Sequence, residues 1–199
     1  GVGKTRVVQW IVQRAQELAG VQALWVRGDD LKGAVAAHLS MERLDGTEQA
    51  EQLTDRLRKD PGAEQWVPAL LSGLGPESPP DPSAWRAAIG QLLALRAADR
   101  PAMLVIDDAQ DADQALDLAR EVATPPESGR RAVLVVLIAR DDDGLAERPD
   151  VEIRIGQVLQ VARAKTLRVG PLEAEARREL LEYLGLAGAL AARVDERSR

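Results

Sequence analysis

Gly1-Val2-Gly3-Lys4-Thr5 (GVGKT) opens the chain and decides how the rest is read. These residues fill the last five places of the pattern G-x-x-x-x-G-K-[ST], with Gly3, Lys4 and Thr5 in its closing triplet. Glycines tolerate the positive φ that turns successive backbone N–H groups inward around phosphate oxygens. In that pattern Lys4 reaches the β- and γ-phosphates and the Thr5 hydroxyl ligates Mg²⁺. A helix starting at this point adds the positive end of its dipole. Val7, Val8, Ile11, Val12, Ala15 and Leu18 recur at helical spacing, which predicts one amphipathic helix over Lys4–Ala19 with Gly20 as its C-cap. The first glycine of the pattern and the strand that feeds the loop fall upstream of Gly1. The chain is therefore expected to be a piece of a longer polypeptide, its first strand absent.

Strands and helices then alternate. Gln22–Arg27 (QALWVR) suits a buried strand. Helices are expected over Leu31–Leu44, Thr47–Arg58, Glu64–Leu71 and Ser83–Ala98, with Asp60-Pro61-Gly62 as a break. Pro76–Ser83 is a proline-rich connector, and Ser83 is the expected N-cap of the helix after it. Ala102–Asp107 (AMLVID) reads as a central parallel strand, Gln110–Ala123 as a helix and Thr124–Gly129 as a loop. Ala132–Ala139 (AVLVVLIA) is apolar throughout and is expected to be buried on both faces. Lys165–Val169 reads as a shorter strand and Glu173–Leu186 as an amphipathic helix. The alternation predicts an α/β fold, a parallel sheet with crossover helices on both faces.

The second chemical signal is the acid at the end of the central strand. Ala102–Asp108 has the form of a Walker B segment, several apolar residues followed by two aspartates. A carboxylate at the carboxyl end of a strand beside the phosphate-binding loop holds Mg²⁺, and Asp107 fits that place. Asp108, one residue on, is placed either to polarise an attacking water or to join the metal shell. The loop and the acidic strand together, in this order, predict a P-loop NTPase: a three-layer αβα sandwich binding ATP and Mg²⁺. The expected strand order is 5-1-4-3-2, with Ala132–Ala139 between the absent first strand and Ala102–Asp107. No [NT]-K-x-D guanine-reading motif occurs, which argues against a GTPase.

Composition narrows the classes further. A chain of 199 residues can bury one sizeable core, or one domain plus part of another. A net charge of −6 argues against a generally basic nucleic-acid surface. Without cysteine there is no disulfide framework and no thiolate metal site. The longest apolar run, Ala132–Ala139, is too short to cross a bilayer, and no signal-peptide pattern opens the chain, so a cytoplasmic protein is expected. His38, the single histidine, and the scattered Trp10, Trp25, Trp66 and Trp85 read as packing residues. Asp141-Asp142-Asp143 reads as a solvated turn, with cation binding the alternative. Arg130 and Arg131 either open a strand or serve a neighbouring subunit as an arginine finger. Arg177 and Arg178 fit the wet face of a helix.

Four stretches carry a family resemblance: Gly1–Arg6 (GVGKTR), Leu104–Asp113 (LVIDDAQDAD), Leu137–Arg140 (LIAR) and Leu167–Leu181 (LRVGPLEAEARRELL). Together they resemble the AAA+-like signal-transduction ATPases known as STAND proteins, bacterial regulators above all. Asp107-Asp108 and Ala112-Asp113 match that family's acidic run, while Asp111 stands where an aromatic residue is common. The stretch from Gly28 to Arg100 matches nothing diagnostic. The resemblance implies nucleotide contacts from Gly1, Val2, Gly3, Lys4, Thr5 and Arg6. It also implies a γ-phosphate sensor at Arg140 and a helical lid entered through Gly170-Pro171-Leu172, with Pro171 near the adenine. The domains it implies are a core over residues 1–169, with a helical insertion around 28–100, and the start of a truncated lid over 170–199. An Asp-Asp pair instead of Asp-Glu suggests slow hydrolysis and switch behaviour. The function implied is an ATP-driven regulatory switch alternating between ATP and ADP. It would be linked to sensor or effector domains and could assemble as a homo-oligomer on activation, with no indicated nucleic acid and no membrane partner. Two alternatives stay open: a DNA-handling AAA+ ATPase of the initiator or transposition-helper kind, and a nucleotide-binding interaction module without turnover. The domains flanking this segment discriminate them.

Overall fold

A computed structural model describes residues 3–41, 46–57, 60, 62–75, 79, 81–124, 132–140, 148–161, 164–183, 185, 186 and 188. Gly1, Val2, Arg130, Arg131 and Asp141–Asp143 lie outside the described residues. So do residues 42–45, 76–78 and 125–129, which carry the expected end of one helix, much of the proline-rich connector and most of a loop. The chain divides into two compact units, one of residues 10–165 and one of residues 1–9 with 166–199.

The larger unit is built on a parallel sheet. β1 (Gln22–Arg27), β2 (Ala102–Asp107) and β3 (Val133–Ile138) lie in the order β1-β2-β3. Their register pairs Arg27 with Asp107 and Asp107 with Ile138, so the three carboxyl ends finish level. Four helices, α2 (Leu31–His38), α3 (Gly46–Leu57), α4 (Ala63–Leu74) and α5 (Pro82–Asp99), separate β1 from β2. A 3₁₀ turn (Ala109–Asp111) and α6 (Asp113–Ala123) separate β2 from β3. Leu24, Val26, Leu104 and Ile106 belong to one core cluster with Leu31 and Val35 of α2, Ile89 and Leu92 of α5, and Leu116 of α6. This burial is the main stabilising term, since each such side chain contributes about 1.5–3 kcal/mol on leaving water. α4 and α5 meet closely because Gly73 has no side chain; a methyl there would overlap the Trp85 indole.

α1 (Lys4–Ala19) has the bounds its periodicity predicts. Gly20 ends it with φ +60°, its N–H donating to Gln16 O at 3.0 Å, and Val21 N donates to Ala15 O at 3.4 Å. With Gly20 left-handed, its N–H bond to the carbonyl four residues back makes this an αL-type C-cap. Among the described residues, no helix is long and apolar enough to cross a membrane.

Several expectations need correction. The helix from Leu31 stops at His38 instead of running to Leu44, because Ser40 takes φ +57° and Met41 turns inward to full burial. α5 is capped by Asp81, not Ser83: the Asp81 carboxylate accepts from Ser83 N and Ala84 N at 3.0 Å, with Pro82 preset at the first helical position. The helix expected over Gln110–Ala123 is broken at Ala112, which with Ala109 is fully buried, and α6 starts only at Asp113. Lys165–Val169 is not a strand; residues 164–173 have no regular structure, and no described residue forms a ladder with them. β3 is not buried on both faces: only Ile138 is buried, and Leu134 is 56% exposed. Its one ladder among the described residues is with β2. A helix absent from the sequence reading, α7 (Pro149–Val161), packs against α6 and buries Val151 and Val158. In the smaller unit, α8 (Ala174–Tyr183) is shorter than the expected Glu173–Leu186 and has no buried residue.

Candidate functional site

The level carboxyl ends of β1, β2 and β3 place the acidic pair. Asp107 is the last residue of β2 and is 5% exposed, the only polar or charged side chain among the buried residues described. Its main chain stays in the sheet, since Gly28 N donates to Asp107 O at 2.9 Å. Its Oδ1 accepts from Asp108 N at 3.2 Å, which turns the carboxylate towards the strand end.

Asp108 leaves the strand abruptly, with φ 53° and ψ 50° in the left-handed region. Such a conformation costs an ordinary L-residue about 1–2 kcal/mol, and Asp bears it better than most. The turn points the Asp108 carboxylate at cations from both neighbouring strands. Arg27, ending β1, approaches Oδ2 at 3.8 Å, and Arg140, just past β3, approaches Oδ1 at 3.7 Å. The Gln110 amide donates to the same Oδ1 at 3.4 Å. The Asp108 side chain is only 30% exposed, whereas Arg27 and Arg140 are 79% and 63% exposed. Ion pairs of that length and exposure are worth at most about 1 kcal/mol each, so both arginines can be redirected cheaply.

A second layer of contacts holds this tip. Gln110 Oε1 accepts from Arg140 N at 3.4 Å. Arg148, at the entrance to α7, donates from Nη1 to Gln110 O at 2.8 Å and pairs with Asp111 Oδ1 at 3.1 Å. Asp29 accepts from Gln114 N at 3.2 Å, and Arg154 approaches Asp113 at 3.7 Å.

Of the residues expected from the sequence, Asp108 and Arg140 are in ion-pair range and Asp107 adjoins them. Gly3, Lys4, Thr5, Arg6 and Pro171 belong to the other unit. There, Gly3 has φ +84° and accepts from Val7 N at 3.0 Å, so Lys4, Thr5 and Arg6 form the first turn of α1. Lys4 and Thr5 are half-buried, and Arg6 is exposed, its guanidinium donating to Gln9 Oε1 at 3.4 Å. Pro171 is exposed in the irregular segment before α8. Sequence reading missed Arg27, Gln110 and Arg148. Only the parallel register sets Arg27 beside the acidic pair, and only the 3₁₀ turn brings Gln110 and Arg148 together.

His38 lies away from the strand tips. Its Nδ1–H donates to Ala23 O at 3.3 Å. Burial pulls its pKa below 6.5; the Ala23 carbonyl opposes this and the Arg96 charge adds to it. It is a neutral packing residue, as its sequence context suggests.

A family model described as "AAA ATPase domain" matches residues 1–136, about two-thirds of the chain. No curated protein and no solved structure matches it.

Proposed function

The chain belongs to the AAA ATPase domain family, nucleotide-binding modules of the P-loop class, and from that premise we propose that it is an ATP-dependent regulatory switch. Asp108 carries this reading. Its carboxylate stands at the end of β2 between two exposed arginines, Arg27 and Arg140, that hold it only weakly. In the proposed cycle the Lys4 ammonium and the N–H groups of the Gly1–Arg6 run bind the nucleotide phosphates, and Pro171 lies near the base. Arg140 senses the γ-phosphate, and Asp108 accepts a hydrogen bond from the attacking water.

Thr5 and Asp107 are the proposed Mg²⁺ ligands. Both offer hard oxygen atoms, and Mg²⁺ takes one or two protein ligands while keeping waters and phosphate oxygens, so the donor chemistry fits. When bound, the metal neutralises charge on the phosphates.

The finer architecture and setting belong to the same proposal: strand order 5-1-4-3-2, a STAND-type bacterial regulator in the cytoplasm, and linked sensor or effector domains. The observed β1-β2-β3 order is compatible with its 4-3-2 portion. Titration calorimetry of the intact protein with ATP–Mg²⁺ tests the reading. Lys4→Ala should weaken binding at least about tenfold, the loss of one charge-assisted contact. Unchanged affinity would remove the phosphate-binding assignment.

A further inference from the structure

Arg148 is used by nothing in the cycle above, yet among the described residues its guanidinium makes the shortest side-chain contact to the turn after β2, 2.8 Å to Gln110 O. We propose that Arg148 is a positioning residue: through Gln110 it holds the Asp108 carboxylate and the Arg140 main chain in one arrangement.

Three observations support this. The Arg148 backbone is itself fixed, because its carbonyl accepts from Val151 N at 3.1 Å and Glu152 N at 3.2 Å at the start of α7. α7 is anchored on α6 through buried Val151 and Val158. The side chain therefore reaches back from a rigid base, across 38 residues of sequence, to Gln110 O at 2.8 Å. Secondly, the turn has no slack on its inner side, since Ala109 and Ala112 are both fully buried. Gln110 lies between them, so holding its carbonyl fixes where its side chain leaves the main chain. Thirdly, that side chain touches both strand tips: Nε2 donates to Asp108 Oδ1 and Oε1 accepts from Arg140 N, each at 3.4 Å. These contacts are long, and small shifts of the turn break them. The Asp111 carboxylate, 3.1 Å from Arg148, gives the guanidinium a charged partner that keeps it in place.

The catalytic part of this inference rests on the ATPase reading; the structural part does not, and two measurements separate them. The first needs no nucleotide: amide hydrogen exchange in the intact protein. Arg148→Ala should speed exchange of the Arg140 N–H about tenfold, the worth of one hydrogen bond, and leave Val105 in mid-β2 unchanged. An unchanged Arg140 amide overturns the proposal. Equal acceleration at Val105 also overturns it, because Arg148 would then merely hold the fold. The second measurement is steady-state ATP turnover. Arg148→Ala should lower kcat about tenfold with KM within about twofold, Arg148→Lys should recover part of the loss, and Arg14→Ala should behave as the parent. In a Gln110→Ala background, Arg148→Ala should cost nothing further. A rise in KM at constant kcat, or full additivity with Gln110→Ala, would overturn the relay. A parent without ATP turnover would sink the ATPase reading, and the Arg140 amide would still decide the role of Arg148.

Discussion

β2 and β3 are neighbouring six-residue strands of nearly equal apolar content, AMLVID and VLVVLI, yet β2 is sealed and most of β3 is only half-buried. Every residue of β2 is buried, while in β3 only Ile138 is. The difference lies in their neighbours. β2 has a strand on each side, and β3 has β2 alone among the described residues. Apolar side chains select a strand; what stands beside the strand decides whether they leave water.

The sharpest way to break this comparison is to remove equal side chains from the two strands. Leu104→Ala in β2 should cost about 3 kcal/mol in urea unfolding, the usual range for a fully buried leucine. A loss below about 1 kcal/mol would mean that β2 is not the sealed centre of the sheet. Next come the strand tips. Asp108→Asn keeps the shape at the end of β2 and removes its charge, so single-turnover hydrolysis should slow about 10²-fold with ATP affinity nearly intact. Hydrolysis at the parent rate would reduce Asp108 to a turn residue.

A smaller effect tests the other flank of β2, where α2 covers β1 and His38 hydrogen-bonds Ala23. The folded pKa of His38 lies below 6.5, so between the two values the unfolded chain binds more protons. The His38 contribution to stability is therefore complete above about pH 6.5 and is lost as pH falls through the folded pKa. Unfolding at about pH 7.5 and about pH 5.5 should show a steeper loss for the parent than for His38→Gln. Equal losses would mean that solvent reaches the imidazole in the folded state. The smallest effect returns to β3: Leu134→Ala, at a position 56% exposed, should change stability by about 0.5 kcal/mol or less. A cost near that of Leu104→Ala would show that something covers β3 in solution.

The same contrast explains what could be read from the sequence. α1, β1 and β2 have the bounds expected, since each couples a strong apolar pattern to clear punctuation: Gly20 and Gly28 around β1, Pro101 and Asp107-Asp108 around β2. β3 was legible as a strand, but a uniformly apolar run carries no information about its neighbours. α7 offered Pro149 at its first position and Val151, Ile155 and Val158 at helical spacing; Glu152, Arg154 and Gly156 between them diluted that pattern. Asp107, Asp108 and Arg140 could be named because their chemistry is local to strand ends. Arg27 and Arg148 could not, because their proximity is made by register and by a turn 38 residues away, quantities that no local pattern encodes.

The left-handed backbone of Asp108 restricts what the position can become over evolutionary time. A φ of 53° favours glycine, asparagine and aspartate, and of these only aspartate carries a negative charge. Two independent requirements, one of main-chain shape and one of charge, thus meet on a single residue type. Even glutamate, which keeps the charge and adds one methylene, would meet a backbone penalty on the order of 1 kcal/mol. Variation at this position is therefore tied to the turn around it: a glutamate here carries that penalty unless the 109–112 segment changes its path.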